Sequence, residues 1–237
     1  MFKQLFDEVS STLTYILIDD ETRAAVIIDP VDRYINHYIA LSRQLNIQLR
    51  YALDTHVHAD HITASGKLRN LLGLQTGVSE LCGAENVDWQ LKDGDMVTFG
   101  RETIRVIATP GHTAGGLSFL WLGQLFTGDA LLINGCGRTD FQGGDAGVLF
   151  DSITQRIFTL PDETLIYPGH DYQGYRVSNV AQEKLTNTRL AKQSREAFIS
   201  MMAALNLPKP SMIDVAVPAN RQCGVDVVDR DKVNHLT

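Results

Sequence analysis

The stretch LDTHVHADHITASG, residues 53–66, places His56, His58, Asp60 and His61 within six positions of a chain that holds only seven histidines. The β-rich run LRYALDT leads straight into it, and HITASGKLRNLL reads as helical, so the cluster falls on a strand-to-helix loop. His56 and His58 are separated by one residue and project to the same side of an extended segment. Asp60 and His61 follow as the chain turns. Taken singly, each has an ordinary reading: a histidine beside a helix start packs or caps, and Asp60 serves as an N-cap.

The rest of the chain changes that balance. His112 lies in TPGHTAGG, Asp129 in FTGDA and His170 in YPGHD, each after a β-rich run and beside glycine, which permits tight turns and close backbone approach. Five of the seven histidines thus fall in strand-end loops; His37 and His235 read as exposed residues on a helix and in the tail. This clustering points to a metal site. Imidazole and carboxylate without thiolate suit zinc, iron or manganese and disfavour calcium and magnesium, which take oxygen cages. Seven donors exceed the needs of one ion. Either two metals share them, with an acid such as Asp129 bridging, or one ion takes three and the rest orient ligands from behind.

Around these loops, residues 12–18 and 24–28 read as a strand pair joined by the turn-like DDETR. Residues 32–45 set Ile35, Tyr38, Ile39 and Leu45 at helical spacing. TIRVIATPGH and GGLSFLWLGQLFTGDA alternate β-rich runs with glycine turns. Residues 145–159 read as a helix, TLIYPGHD as a strand, and the chain from 176 to 205 as helical. NLPKPSMIDVAVPAN is expected to lie extended because of its three prolines. Strands and helices mix without repeats, so the expected organisation is a single α/β domain over residues 1–225 and a polar, frayed tail at 226–237.

Bulk properties exclude several roles. A net charge of −7 opposes phosphate-backbone binding, so nucleic acid is not an expected partner. No apolar run approaches a membrane span. The acidic, mixed start MFKQLFDEVSST lacks the features of a signal or transit peptide. Cys82, Cys136 and Cys223 are far apart, odd in number and form no CxxC pair, which favours a reducing, cytoplasmic setting over a disulfide framework or a thiolate zinc site.

THVHADH, TPGHT, GD and PGHD, in this order, resemble the signature of the metallo-β-lactamase superfamily. The resemblance implies an αββα sandwich, two packed mixed β-sheets flanked by helices, with metal at one edge. It is specific for the fold and not for the reaction. DALLINGCGRTDFQGGD (129–145), IFTLPDETLIYPGHDYQG (157–174) and LNLPKPSMIDVAVPAN (205–220) resemble the persulfide dioxygenases and extend the likeness from about residue 2 to 225.

That second resemblance implies one Fe(II) per chain, held by His56, His112 and Asp129, with His58, Asp60, His61 and His170 orienting ligands or water by hydrogen bonding. A two-histidine, one-carboxylate face leaves positions open for oxygen and a substrate sulfur together, an opportunity that zinc, without accessible redox states, does not offer. The implied reaction takes glutathione persulfide, O2 and water to glutathione and sulfite, and the implied assembly is a homodimer. Arg138 in GCGRTDF, Tyr172 in HDYQG and Arg189 in LTNTRL match positions where that family contacts substrate, and guanidinium suits the carboxylates of glutathione. Read alone, either arginine is equally a surface charge or a loop-fixing ion pair. The chain departs from the family at Ala114 and Gly116, where proline and cysteine are frequent, and at Thr188, where proline usually precedes the arginine. Cys136, close to the cluster in sequence, reads as a small buried side chain.

Two rival readings use the same residues. A thioester hydrolase of the glyoxalase II type would hold two metals and a bridging hydroxide on the seven donors, but the chain after His170 reads shorter than that family's helical substrate domain. A non-catalytic binding or sensing protein would not be expected to keep the whole donor set.

Overall fold

The computed structural model describes residues 1–225; the expected tail at 226–237 lies outside the described residues. Six strands form the first sheet in chain order: β1 (Phe2–Asp7), β2 (Thr12–Ile18), β3 (Ala24–Ile28), β4 (Gln48–Leu53), β5 (Gln75–Ser79) and β6 (Trp89–Leu91). The second is ordered β12 (Ser178–Asn179), β11 (Leu165–Pro168), β10 (Gln124–Gly128), β9 (Leu117–Trp121), β8 (Glu102–Ala108) and β7 (Met96–Phe99). β3 to β6 pair in parallel, which requires crossover connections. Helices α1 (Ile35–Gln44) and α2 (Ser65–Leu72) supply the first two. β10 and β11 are likewise parallel, with α3 (Ala146–Ser152) and a following π-turn at Ile153–Ile157 between them. α4 (Val180–Thr186), α5 (Arg195–Ala203) and α6 (Ile213–Arg221) complete the described chain.

Strands covered on both faces carry apolar residues on both, and β2 and β3 sort theirs by parity. In β2 and β3, Leu13, Tyr15, Leu17, Ala24, Val26 and Ile28 face the other sheet. Ile16, Ile18, Ala25 and Ile27, the alternate positions, pack instead with Tyr38 and Leu68 of the helices outside. On the far side, Leu125 and Ile166 meet Leu149, Ile153 and Phe198. Between the sheets the rings of Phe126 and Tyr167 stack with centroids 5.4 Å apart, and Tyr15 lies 4.8 Å from Phe126. The fold is the αββα sandwich of the metallo-β-lactamase kind.

Several elements differ from expectation. The stretch 206–220 is not extended throughout: Pro208 and Pro210 lie in a loop, but residues 213–221 form α6 with Pro218 inside it. The missing proline N–H removes one helical bond, the one the Asp214 carbonyl would accept; the helix starts on Met212, which accepts from the N–H groups of both Val215 (2.9 Å) and Ala216 (2.7 Å), and Ala216 and Asn220 are buried. The expected helix over 176–205 is broken into α4 and α5, because Ser194 opens a new helix by accepting from the Ala197 N–H. The helix expected from His61 begins only at Ser65. β1 was not anticipated; its alternate residues Phe2 and Phe6 pack on the intersheet core while Leu5 packs on the outer one. Among the described residues no helix is long and apolar enough to cross a membrane.

Asp19, in the β2–β3 turn, ties the first sheet to the second by accepting from the Arg101 N–H at 2.8 Å. The Thr22 hydroxyl, then this N–H and that of Glu21, lower its pKa to about 2. A depressed carboxylate contributes stability above its unfolded pKa near 3.9, and that contribution is lost as pH falls through the folded value. Asp19→Asn is expected to flatten the loss of stability between pH 4 and pH 2 by up to one proton, measured by denaturant titration across that range. Phe126→Ala is expected to cost about 3–5 kcal/mol of stability, read from the shift in denaturant midpoint at constant slope.

Candidate metal centre

Each cluster residue stands where a strand runs out at one edge of the sandwich: His56 to His61 after β4, His112 after β8, Asp129 after β10 and His170 after β11. Backbone bonds stitch the two sheets together there. Leu13 N–H donates to the Gly169 carbonyl, and Leu117 N–H to the Thr55 carbonyl, each at 2.8 Å. Two glycines allow the approach. A Cβ on Gly128, whose φ is +51°, would lie 2.5 Å from Thr55 Oγ1, and one on Gly137 would lie 2.7 Å from His112 Nδ1.

His56, His112 and Asp129 each bring one ligand atom within 4.8 Å of the others. Their neighbours decide which atoms are free. The Thr55 hydroxyl donates to Asp29 Oδ2 at 2.9 Å, so Thr55 Oγ1 accepts from His56 Nδ1–H at 3.0 Å. His112 Nδ1–H donates to the Arg138 carbonyl at 2.7 Å. Both rings are left with a lone pair on Nε2. Burial, reinforced by His58 and His112 nearby, holds the His56 pKa well below the ordinary range and keeps the ring neutral. Asp129 is charged: burial opposes ionisation, but the charge and hydrogen bond of His170 outweigh it and lower the pKa. Its Oδ1 accepts from His170 Nδ1–H at 2.7 Å, while Oδ2 lies 3.6 Å from His112 Nε2. Two imidazole lone pairs and one carboxylate oxygen therefore converge without a proton between them, a set that fits a divalent transition metal.

His170 is engaged on both sides. Its Nε2–H donates to Asp60 Oδ2 at 3.1 Å. Burial alone would lower its pKa, but Asp129 and Asp60 raise it well above the ordinary range. Asp60 Oδ2 also meets His61 Nδ1 at 2.9 Å and the Thr12 hydroxyl at 3.1 Å. His58 Nε2–H donates to Asp29 Oδ1 at 3.1 Å. His58 Nδ1 and His61 Nε2 are buried and have no hydrogen-bond partner among the described residues.

The centre opens into a cavity of about 730 Å³, whose lining includes Arg138, Tyr172 and Arg189 as well as the three converging residues. All ten residues singled out from the sequence thus fall in or against one site. Arg138 is the surprise. Its guanidinium forks onto Asp140 at 2.6 and 2.7 Å and donates to the Pro208 and Leu207 carbonyls at 2.7 and 3.3 Å, so it ties down the cavity wall. Arg189 donates through Nη1 to the Cys136 carbonyl at 2.8 Å, and no carboxylate among the described residues pairs with it. The Tyr172 ring stacks on His170 at 5.6 Å and is 69% exposed at the rim. Cys136 is buried, and burial raises its thiol pKa despite Arg189.

Sequence reasoning missed the groups behind the ring of donors. Asp29 holds Thr55 and His58; Asp54 accepts from the Thr63 and Ser65 hydroxyls at 2.8 and 2.7 Å. Both are acids at strand ends, in IIDP and LDTH, a signal that could have marked them. Asn220 donates to the His58 and His61 carbonyls from α6, and no local signal marks it.

A sandwich of this topology, with its donors on the edge loops, defines a metallo-β-lactamase superfamily protein, and the family model of that description matches residues 79–170. The chain is 51% identical to the human protein named persulfide dioxygenase ETHE1, mitochondrial, over 95% of this chain and 89% of that one. The crystal structure of ETHE1 from Myxococcus xanthus matches with a TM-score of 0.93 and 52% identity, covering 95% of this chain and 100% of that one. Hydroxyacylglutathione hydrolase of Brucella ovis is 32% identical over 85% of this chain and 78% of that protein. The chain belongs to the persulfide dioxygenase family.

His170→Ala removes the donor that fixes Asp129 Oδ1. Metal analysis of the variant is expected to find the wild-type stoichiometry with affinity weakened roughly 10–100-fold; loss of half the metal would instead make His170 a ligand to a second ion.

Proposed function

We propose that this chain is a persulfide dioxygenase that converts glutathione persulfide, O2 and water to glutathione, sulfite and two protons at a single Fe(II). Family membership supports the reaction. The same likeness supports the single ion, with His170, hydrogen-bonded to Asp129 and Asp60, left to orient the carboxylate that would hold it. His56, His112 and Asp129 would hold the iron. Bound there, Fe(II) would supply open positions for oxygen and a persulfide sulfur side by side.

The remaining residues have definable tasks on this reading. Asp29, through Thr55, and the Arg138 carbonyl keep the Nδ1 protons of His56 and His112 in place and their Nε2 atoms aimed inward. His170 holds a proton against Asp129 and Asp60, so the carboxylate that faces the iron stays ionised. Arg189, the arginine of the cavity without a carboxylate partner, binds a carboxylate of the substrate. Arg138 serves that site by holding the 207–208 wall. Residues 1–225 form the catalytic unit, and the three unpaired cysteines suit a reducing, cytoplasmic setting.

A second reading rests on His58 Nδ1 and His61 Nε2, which have no hydrogen-bond partner among the described residues and which a second ion would engage in a two-metal thioester hydrolase. Oxygen consumption by Fe(II)-loaded protein on addition of glutathione persulfide separates the two. Uptake with matching sulfite is expected; no uptake with one iron verified per chain, together with hydrolysis of S-lactoylglutathione, would sink the dioxygenase. His112→Ala is expected to abolish both bound iron and sulfite production. Arg189→Ala should raise KM roughly tenfold to a hundredfold with little change in kcat, as loss of a charge-assisted contact of about 1.5–3 kcal/mol requires.

A further inference from the structure

The segment from His58 to Thr63 has no helix or strand of its own, so its buried peptide groups need partners from elsewhere. Three of them meet one side chain. Asn220 Nδ2 donates to the His58 carbonyl at 2.9 Å and to the His61 carbonyl at 2.8 Å, and Asn220 Oδ1 accepts from the Thr63 N–H at 2.9 Å. Two donors and one acceptor of a primary amide match two carbonyls and one N–H, a pattern that neither aspartate nor a hydroxyl reproduces. Asn220 is 5% exposed, so none of the three bonds has water to replace it at low cost.

The helix that carries Asn220 is held in place without it. Gly66 N–H donates to the Cys223 carbonyl at 2.9 Å, and Glu85 N–H to the Arg221 carbonyl at 2.8 Å. The contact at Gly66 is close enough that a Cβ there would lie 2.4 Å from the Cys223 oxygen. α6 is therefore docked by backbone, and its amide side chain is free to act on the loop. What the loop carries between its pinned ends is Asp60 and His61, and Asp60 bonds His170, which in turn bonds Asp129 Oδ1.

We propose that Asn220 is a positioning residue of the metal centre, acting from α6 through the His58–Thr63 backbone, Asp60 and His170 to fix the orientation of Asp129. The proposal deepens the metal-site reading and rests on it. It is tested on the full chain with Co(II), whose visible absorption reports ligand geometry, using Asn220→Asp, Asn220→Ser and the exposed Val215→Ala on the same helix. Asn220→Asp is expected to weaken Co(II) binding in chelator competition roughly 10–100-fold and to change the shape of the absorption band. Asn220→Ser, which keeps one hydroxyl, should lose less, and Val215→Ala should match wild type in both readouts. Wild-type affinity and band shape in a folded Asn220→Asp protein would overturn the proposal, as would equal losses in Val215→Ala. If Asn220→Asp does not fold, Asn220→Ser carries the same comparison; failure of both to fold would make Asn220 a requirement of folding and also overturn it. Wild-type protein that binds no Co(II) would overturn the metal site itself, a result distinct from the others.

Discussion

A loop that is buried and irregular survives only if each of its peptide groups finds a partner, and the metal loop between β4 and α2 is such a loop. Asp54 N–H reaches the Gly77 carbonyl in β5, and the Thr55 carbonyl accepts from Leu117 in β9. Thr55 N–H donates to Asp29 after β3 at 2.7 Å, and the Val57 carbonyl accepts from Gln142 at 2.7 Å. The Ile62 carbonyl accepts from the Asp32 N–H, and Asn220 of α6 takes the His58 and His61 carbonyls and the Thr63 N–H. Partners come from both sheets, a distant loop and the last described helix. The donors can converge only once the whole sandwich has closed, so the packing of the aromatic intersheet core and the geometry of the site are one problem.

Two short chains of hydrogen bonds carry that geometry to the ligand atoms. One runs from Asp29 through the Thr55 hydroxyl to His56 Nδ1; the other runs from Asp60 through His170 to Asp129. In each an acid settles where a proton lies, and so which atom faces the centre without one. The acidity of the chain, which spoke against nucleic acid, is thus put to local use: buried Asp29 and half-buried Asp60 sit behind imidazoles and settle where their protons lie.

What the sequence disclosed was what lies close along the chain. The histidines and Asp129 stand at the ends of β-rich runs, His112, Asp129 and His170 beside glycines; that local pattern is enough to gather them at strand ends, while the sandwich itself came from likeness to a family. Arg138, Tyr172 and Arg189 could be placed in the same cavity only by likeness to a family, and the pairing of Arg138 with Asp140 and two carbonyls could not be read from GCGRTDF. Asn220 lies more than 150 residues from the loop it binds, inside a segment whose prolines argue for extended backbone. There a helix forms because tertiary context, the burial of Ala216 and the backbone docking at Arg221 and Cys223, outweighs local preference. The break between α4 and α5 was hidden for a different reason: helical spacing continues across it, while the Ser194 cap that starts α5 is a single side chain.

The number of ions that such a scaffold holds turns on a competition for the oxygens of Asp129. In a two-metal centre a bridging carboxylate offers one oxygen to each ion. Here Oδ1 is already occupied by the His170 proton, and the other nitrogen of that ring is bonded to Asp60. A second ion would have to expel the proton and break two part-buried, charge-assisted hydrogen bonds, each worth about 1.5–3 kcal/mol, before gaining any ligand from His170. In return it would approach His58 Nδ1 and His61 Nε2, two buried ring nitrogens without a hydrogen-bond partner among the described residues. On the single-iron reading proposed above, the balance lies with one ion for as long as Asp60 and Asp129 hold the His170 ring between them. The same hydrogen bond, by taking one oxygen of Asp129, would leave the other for the single ion of the proposed reading.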